Sequence, residues 1–216
     1  ADVLVIHDPW SFRHTVAKRW SLVGFKFGDQ PPVGPNPFSG RGMDGLLEGL
    51  YRSGLVLDEA LIGELATIDL TPFKLVIFGS TVVLDDEARR LIATRVATAG
   101  RHVVFTGYVG WSNGRDIGSA LATAVSGIAT DGRELATPTS TLSLAGIKEV
   151  QTLESPKYVP AFDVPDDQRV GVWSDGSTSA ARRQTDQATL WSFGVCPTTP
   201  DFLRALGKHA GCHVLN

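Results

Sequence analysis

This 216-residue chain has no run of basic residues, no long apolar stretch and only two cysteines. With 20 Lys plus Arg against 23 Asp plus Glu, and a formal net charge of −3, it lacks the electrostatic footprint that a phosphate backbone requires. Nucleic acid is therefore not an expected partner. No stretch approaches the roughly 20 apolar residues that cross a bilayer, and the N-terminus lacks the charged and apolar regions of a signal peptide. The expectation is a soluble chain without a membrane partner, either a mature protein or a domain excised from a longer one.

The two cysteines, Cys196 and Cys212, flank a stretch that reads as a helix. Placed at opposite ends of it, they exceed the ~7 Å Cα separation that a disulfide tolerates, so no bridge is expected. Metal and cofactor signatures are missing too. The histidines are His7, His14, His102, His209 and His213, without H-E-x-x-H or C-x-x-C spacing. A Cys196, His209, Cys212 and His213 set is split by the same helix. Neither G-x-G-x-x-G nor G-x-x-x-x-G-K-[ST] occurs, and Asp85, Asp86 and Glu87 read as a helix start rather than as paired glycosidase carboxylates. No metal and no cofactor are expected.

What is present is 43% hydrophobic composition, enough for the core of a single domain over residues 1–216. Short β-branched runs alternate with amphipathic stretches, the pattern of a mostly parallel sheet with helices on both faces. Strands are expected at 3–7, 55–58, 73–80 and 101–107, and helices at 43–54, 59–68 and 85–100. A further helix is expected after Asp8, capped by Ser11. The Gly- and Pro-rich segment 24–43 reads as a long loop of functional or contact-forming character. Residues 124–165 read as irregular structure or short strands. Three antiparallel strands follow at 169–176, 178–184 and 188–194, turning at Asp175-Gly176 and near Thr185-Asp186. The chain closes with a helix at 199–211, Thr199 as N-cap and Pro200 first, and a strand at 212–216. Trp173 and Trp191 fall in strands and are expected in the core.

In open α/β sheets ligands bind beyond the carboxyl ends of the strands. That rule selects His7 and Asp8, then Gly79, Ser80 and Thr81, then the turn Gly107 to Trp111. The turn "GYVGW" follows a buried strand, where an elbow would carry a nucleophile, but it holds no Cys or Ser. A Ser80, His7, Asp8 triad fails because adjacent side chains on one strand point to opposite faces. The loop aromatics Trp10, Tyr108 and Trp111 are open to two readings, as sugar-stacking platforms or as interface anchors.

The segments "FKLVIFGSTVVLDDEARRLIATRVATAGRHVVFTGYVGWSNG" and "TTPDFLRALGKHAGCHVLN", with "ADVLVIHDPWSF" at the start, resemble a known family. It is the glutamine-amidotransferase-like, β-galactosidase trimerisation-type domain of bacterial family 42 glycoside hydrolases. The matching pieces are Asp8 and Ser11, Leu84 to Glu87, Gly100, Gly107-Tyr108, and Ala210 to Val214. Residues 124–165 match only loosely, and Cys212 stands where the family has an aliphatic residue. The resemblance implies a flavodoxin-like, class I amidotransferase-like sheet with an antiparallel extension in its C-terminal half. The nucleophilic Cys at the turn and the late His-x-Glu of true amidotransferases are missing. It further implies a non-catalytic oligomerisation and architectural domain of a β-galactosidase-like glycoside hydrolase, forming homo-oligomers through the parent enzyme. Trp10 and Phe38 are then interface candidates. The alternative is a small-molecule or carbohydrate binding module with Asp8, Ser80, Thr81, Tyr108 and Trp111 as ligand-binding candidates. A second alternative is a free-standing hydrolase.

Overall fold

A computed structural model describes residues 1–8, 11, 40–79, 81–153 and 158–215. Trp10, Phe38 and Ser80 lie outside these residues, as do most of the 24–43 loop and of the helix expected after Asp8.

Five parallel strands form one half of the sheet: β1 (Val3–His7), β2 (Leu57–Leu61), β3 (Leu75–Phe78), β4 (Arg101–Thr106) and β11 (Ala188–Phe193), side by side as β2-β1-β3-β4-β11. The other half is antiparallel. From β11 the sheet continues through β10 (Thr178–Gln184), β9 (Arg169–Trp173), β6 (Thr139–Leu144) and β7 (Ile147–Thr152). β5 (Ala129–Glu134) pairs with β8 (Tyr158–Asp163) off this path, so the described residues hold eleven strands in one mixed sheet.

Side-chain alternation explains the layers. Val3, Val5, Leu75, Ile77 and Val104 point to one face, where they meet Met43, Leu46 and Leu50 of α1 (Gly40–Arg52) and Phe202, Leu203 and Leu206 of α4 (Pro200–His209). Leu4, Ile6, Val76, Phe78, Val103 and Phe105 point to the other, against Ala88 and Leu91 of α2 (Asp86–Leu91) and Ile92 and Val96 of the π-helical turn Ile92–Val96. A period of two on strands covered on both faces gives these near-continuous apolar runs. The core extends under the antiparallel half through Leu142, Val170 and Trp173, and Trp173 and Trp191 are buried as expected.

Several expectations need correction. Residues 59–68 are not a helix: Leu57–Leu61 pairs in parallel register with Val3–His7, and only Ile62–Ala66 winds, as a 3-10 turn. Ladder bonds to β1 and burial of Ala60 override the helical propensity of Glu-Ala-Leu. The 85–100 helix stops at Val96, and Ala99 and Gly100 then take positive φ. Of the strand expected at 212–216, the described residues show only an isolated bridge, Val214 to Leu55. Thr199 stands at the N-cap position of α4 but makes no capping side-chain bond within that helix. Residues 124–165, a region that reads as irregular structure or short strands, supply four of the strands and part of α3 (Ser119–Ser126).

The β5–β8 pair decides what the carboxyl end of the sheet looks like. β10 pairs with β11 only as far as Ala180–Phe193, and beyond that point Thr178 pairs with Phe162 of β8. β8 thus takes the edge that β11 vacates. A Cβ on Gly194, just after β11, would lie 3.0 Å from the Pro160 carbonyl and 2.8 Å from the Trp173 ring, so only glycine fits there.

Candidate functional site

The rim at the carboxyl ends is built on one tight segment, residues 81–84. On one side the buried Asp8 carboxylate accepts hydrogen bonds from the backbone N–H and the hydroxyl of Ser11, and Ser11 Oγ accepts from Val83 N at 2.8 Å. On the other side Gly110 N donates to Thr81 O at 3.0 Å, Ser112 N to Val82 O at 3.0 Å, and Leu84 N to Ser112 O at 2.8 Å. Asp8, Thr81, Tyr108 and Trp111 are therefore brought to one rim, as the sequence predicts.

These side chains are turned inward. Thr81 is fully buried, its hydroxyl unpartnered among the described residues, and Tyr108 and Trp111 are each only 7% exposed. Tyr108 and Trp111 meet edge to face at 5.1 Å, and Trp111 meets Tyr158 of β8 in the same way at 6.2 Å. The Tyr108 hydroxyl donates to the Tyr158 carbonyl. β8 thus lies across the turn that sequence reasoning left open to ligand. His7 faces away from Asp8 and sits 2.8 Å from a Glu59 carboxylate oxygen.

The turn itself has no geometry for a nucleophile. Its two positive-φ positions, Gly107 (φ 62°) and Gly110 (φ 72°), are both glycines, so no reactive side chain occupies a strained elbow. Cys196, at the carboxyl end of β11, donates to Thr106 Oγ1 at 3.4 Å, and burial pushes its thiol up to about 11. A thiol so buried is no thiolate at neutral pH. Both cysteines are free, and among the described residues no three His, Cys, Asp or Glu side chains converge as metal ligands.

Two polar anchors escaped sequence reasoning. Arg89 donates from Nε to Leu84 O (2.7 Å), from Nη1 to Leu121 O (2.7 Å), and from Nη2 to Gly110 O (2.8 Å) and Ser112 O (3.1 Å). Its planar fork ties α2 to the turn and to α3. Glu149 of β7 is 2% exposed and accepts from Thr198 N (2.8 Å), Thr198 Oγ1 (3.2 Å), Thr199 N (3.3 Å) and Thr199 Oγ1 (2.8 Å). A carboxylate here satisfies orphan donors at the start of α4 and favours its dipole. Nothing in "GIKEVQT" marks that role, since the donors lie about fifty residues away in sequence.

Open space lies beside the rim. A cleft of about 570 Å³ is lined by Asp131 and Arg133 of β5, Phe162 and Asp163 of β8, Arg169 and Thr178, among others. The only sequence signal was the charge alternation in "ATDGRE", within a stretch too short on apolar residues to read as sheet.

Comparison with solved structures gives matches over the whole chain. A β-galactosidase from the Antarctic haloarchaeon Halorubrum lacusprofundi superimposes with a TM-score of 0.71 at 15% identity, covering 100% of this chain and 31% of its own. A family 42 β-galactosidase from G. stearothermophilus gives 0.67 at 12% identity, again covering 100% of this chain and 31% of that one. The fold is that of a segment of family 42 β-galactosidases. The chain spans about a third of the length of these enzymes. A cytoplasmic protein from Salmonella typhimurium gives a TM-score of 0.55 at 12% identity, with 96% of this chain and 98% of that one covered. No protein-family model matches the sequence, and a search of curated proteins found no match.

Proposed function

We propose that this chain is a non-catalytic architectural and oligomerisation domain of a β-galactosidase-like glycoside hydrolase. The observation that carries the reading is the end-to-end match of the chain to under a third of much longer β-galactosidases. The filled rim supports it: the turn where related folds present a nucleophile is packed by Tyr108, Trp111 and Tyr158 and braced by Arg89. The parallel order β2-β1-β3-β4-β11 supports the finer description as flavodoxin-like and amidotransferase-like, since the flavodoxin order is 2-1-3-4-5. Trp10 and Phe38 remain the proposed interface residues.

A second reading is a free-standing protein of this fold that binds a small molecule at the rim, through Asp8, Ser80, Thr81, Tyr108 and Trp111. It is favoured by the Salmonella protein, whose chain matches over nearly its whole length. The coding sequence on either side of this segment tests the two. An adjoining barrel with paired carboxylates supports the first reading, and an isolated gene of this length supports the second.

A further inference from the structure

Sheet edges expose backbone groups that have no ladder partner, and proteins normally blunt them with charge, proline or a bulge. In the described residues the sheet ends at β2 on one side and at β7 on the other, with β5 as a further edge. β2 carries Asp58 and Glu59, and β5 carries Asp131, Arg133 and Glu134. β7, "IKEVQT", is blunted less. It has no proline, and its register with β6 runs unbroken from Thr139–Thr152 to Leu144–Ile147. Glu149 is turned to the buried face, where Thr198 and Thr199 occupy it. Lys148, Val150 and Thr152 are left on the open face. Val150 is 64% exposed there, and lines up across Thr141 with Val172, itself 36% exposed.

The ladder fixes which backbone groups point off this edge. Leu153 N donates to Pro138 O at 2.8 Å, continuing the β6–β7 register. Bonded and non-bonded pairs alternate in an antiparallel ladder, so Ile147, Glu149, Gln151 and Leu153 are the residues that bond to β6. The N–H and C=O groups of Lys148, Val150 and Thr152 therefore point outward, and none has a partner among the described residues.

We propose that β7 is a contact between two copies of this chain, pairing antiparallel with its own equivalent across a two-fold axis so that the two sheets run on as one. The pairing rests on the oligomerisation reading above and gives it a surface apart from Trp10 and Phe38. The strand is self-complementary in one register, centred on Val150. There Val150 meets Val150, Lys148 of each copy meets Thr152 of the other, Glu149 stands beside Gln151, and every outward N–H and C=O finds a partner. A register offset by one residue sets outward groups against groups already bonded to β6. An offset of two leaves outward groups unpaired and, in one direction, sets Glu149 against Glu149. The contact is small, and a dissociation constant of roughly 10 μM to 1 mM is expected.

The test compares sedimentation equilibrium of the native chain with that of Thr152→Glu, Thr152→Lys and Val150→Pro. Both Thr152 variants lose the same hydroxyl contact with Thr139, at 3.0 Å, so they differ in the sign of the charge set opposite Lys148. Thr152→Glu is expected to dimerise about tenfold more tightly than Thr152→Lys, since the symmetry repeats the pair. Val150→Pro removes an outward donor without touching the β6 ladder, and is expected to weaken dimerisation about tenfold or more. If Val150→Pro melts early, the Thr152 pair decides. In the native chain, amide exchange is expected to slow at Lys148, Val150 and Thr152 as concentration rises. The proposal is overturned if the chain self-associates while these amides stay unprotected, or if the two Thr152 variants associate equally. Either result leaves the oligomerisation reading standing on another surface, whereas a native chain that stays monomeric at every concentration overturns both.

Discussion

Arg89 offers the sharpest test of how the turn at 107–112 is held. Arg89→Met keeps the aliphatic stem and removes the fork that donates to Leu84 O, Leu121 O, Gly110 O and Ser112 O. A hydrogen bond from a charged donor nets about 1.5–3 kcal/mol, which for four acceptors sums to an upper bound of about 12 kcal/mol. The site is half-buried, and freed carbonyls recover water, so the expected loss is about 2–4 kcal/mol. Arg89→Lys keeps the charge but has one nitrogen where the native fork uses three, and about half the loss is expected to persist. Urea unfolding followed by tryptophan fluorescence gives the stability. Amide hydrogen exchange locates the effect, with protection falling at Gly110, Ser112 and Gly118 before the rest of the sheet. A loss below ~0.5 kcal/mol in Arg89→Met, or a lysine variant equal to the native chain, would refute the bracing role.

Glu149→Ala strips a buried acceptor from four donors of Thr198 and Thr199 and is expected to cost about 3–4 kcal/mol in urea unfolding, with Glu149→Gln costing roughly half as much. His102 accepts from Trp191 Nε1 at 3.2 Å, and burial, with His209 and Arg182 nearby, lowers it to about 4. Its folded pKa lies below its unfolded value, so the unfolded chain binds the proton first and stability falls as pH drops from about 6.5 through about 4. Allowing for solvent screening at a half-buried site, the loss is about 1–2 kcal/mol, and thermal melts of His102→Gln are expected to show a flatter pH dependence over that window. Burial holds both Cys196 and Cys212 at about 11, so a thiol reagent is expected to react slowly with the native chain and to count two free thiols, without prior reduction, once it is unfolded.

The parallel half was legible because its signals are local. "KLVIF" and "HVVF" are apolar runs bounded by turn residues, and Asp85 caps α2 by accepting from Ala88 N, as the acidic start implies. The failures have physical causes as well. Leu57–Leu61 carries a helix-forming composition, and only pairing with β1 makes it a strand. β5, ATDGRE, is short on apolar residues and borders a polar cleft, so periodicity had little to register there. The rule on strand ends selected Asp8, Thr81, Tyr108 and Trp111, and the fold brings these four to one rim. Their burial was not foreseeable, because the cover is Tyr158, a residue fifty positions from Tyr108. Arg89 and Glu149 were invisible for a related reason: their partners are backbone groups, whose positions exist only in the fold.

The most direct measurement of the architectural reading is sedimentation equilibrium of this chain over a wide concentration range. The account predicts a discrete homo-oligomer, dimer or trimer, weakened by Trp10→Ala or Phe38→Ala. A strict monomer at every concentration would contradict it.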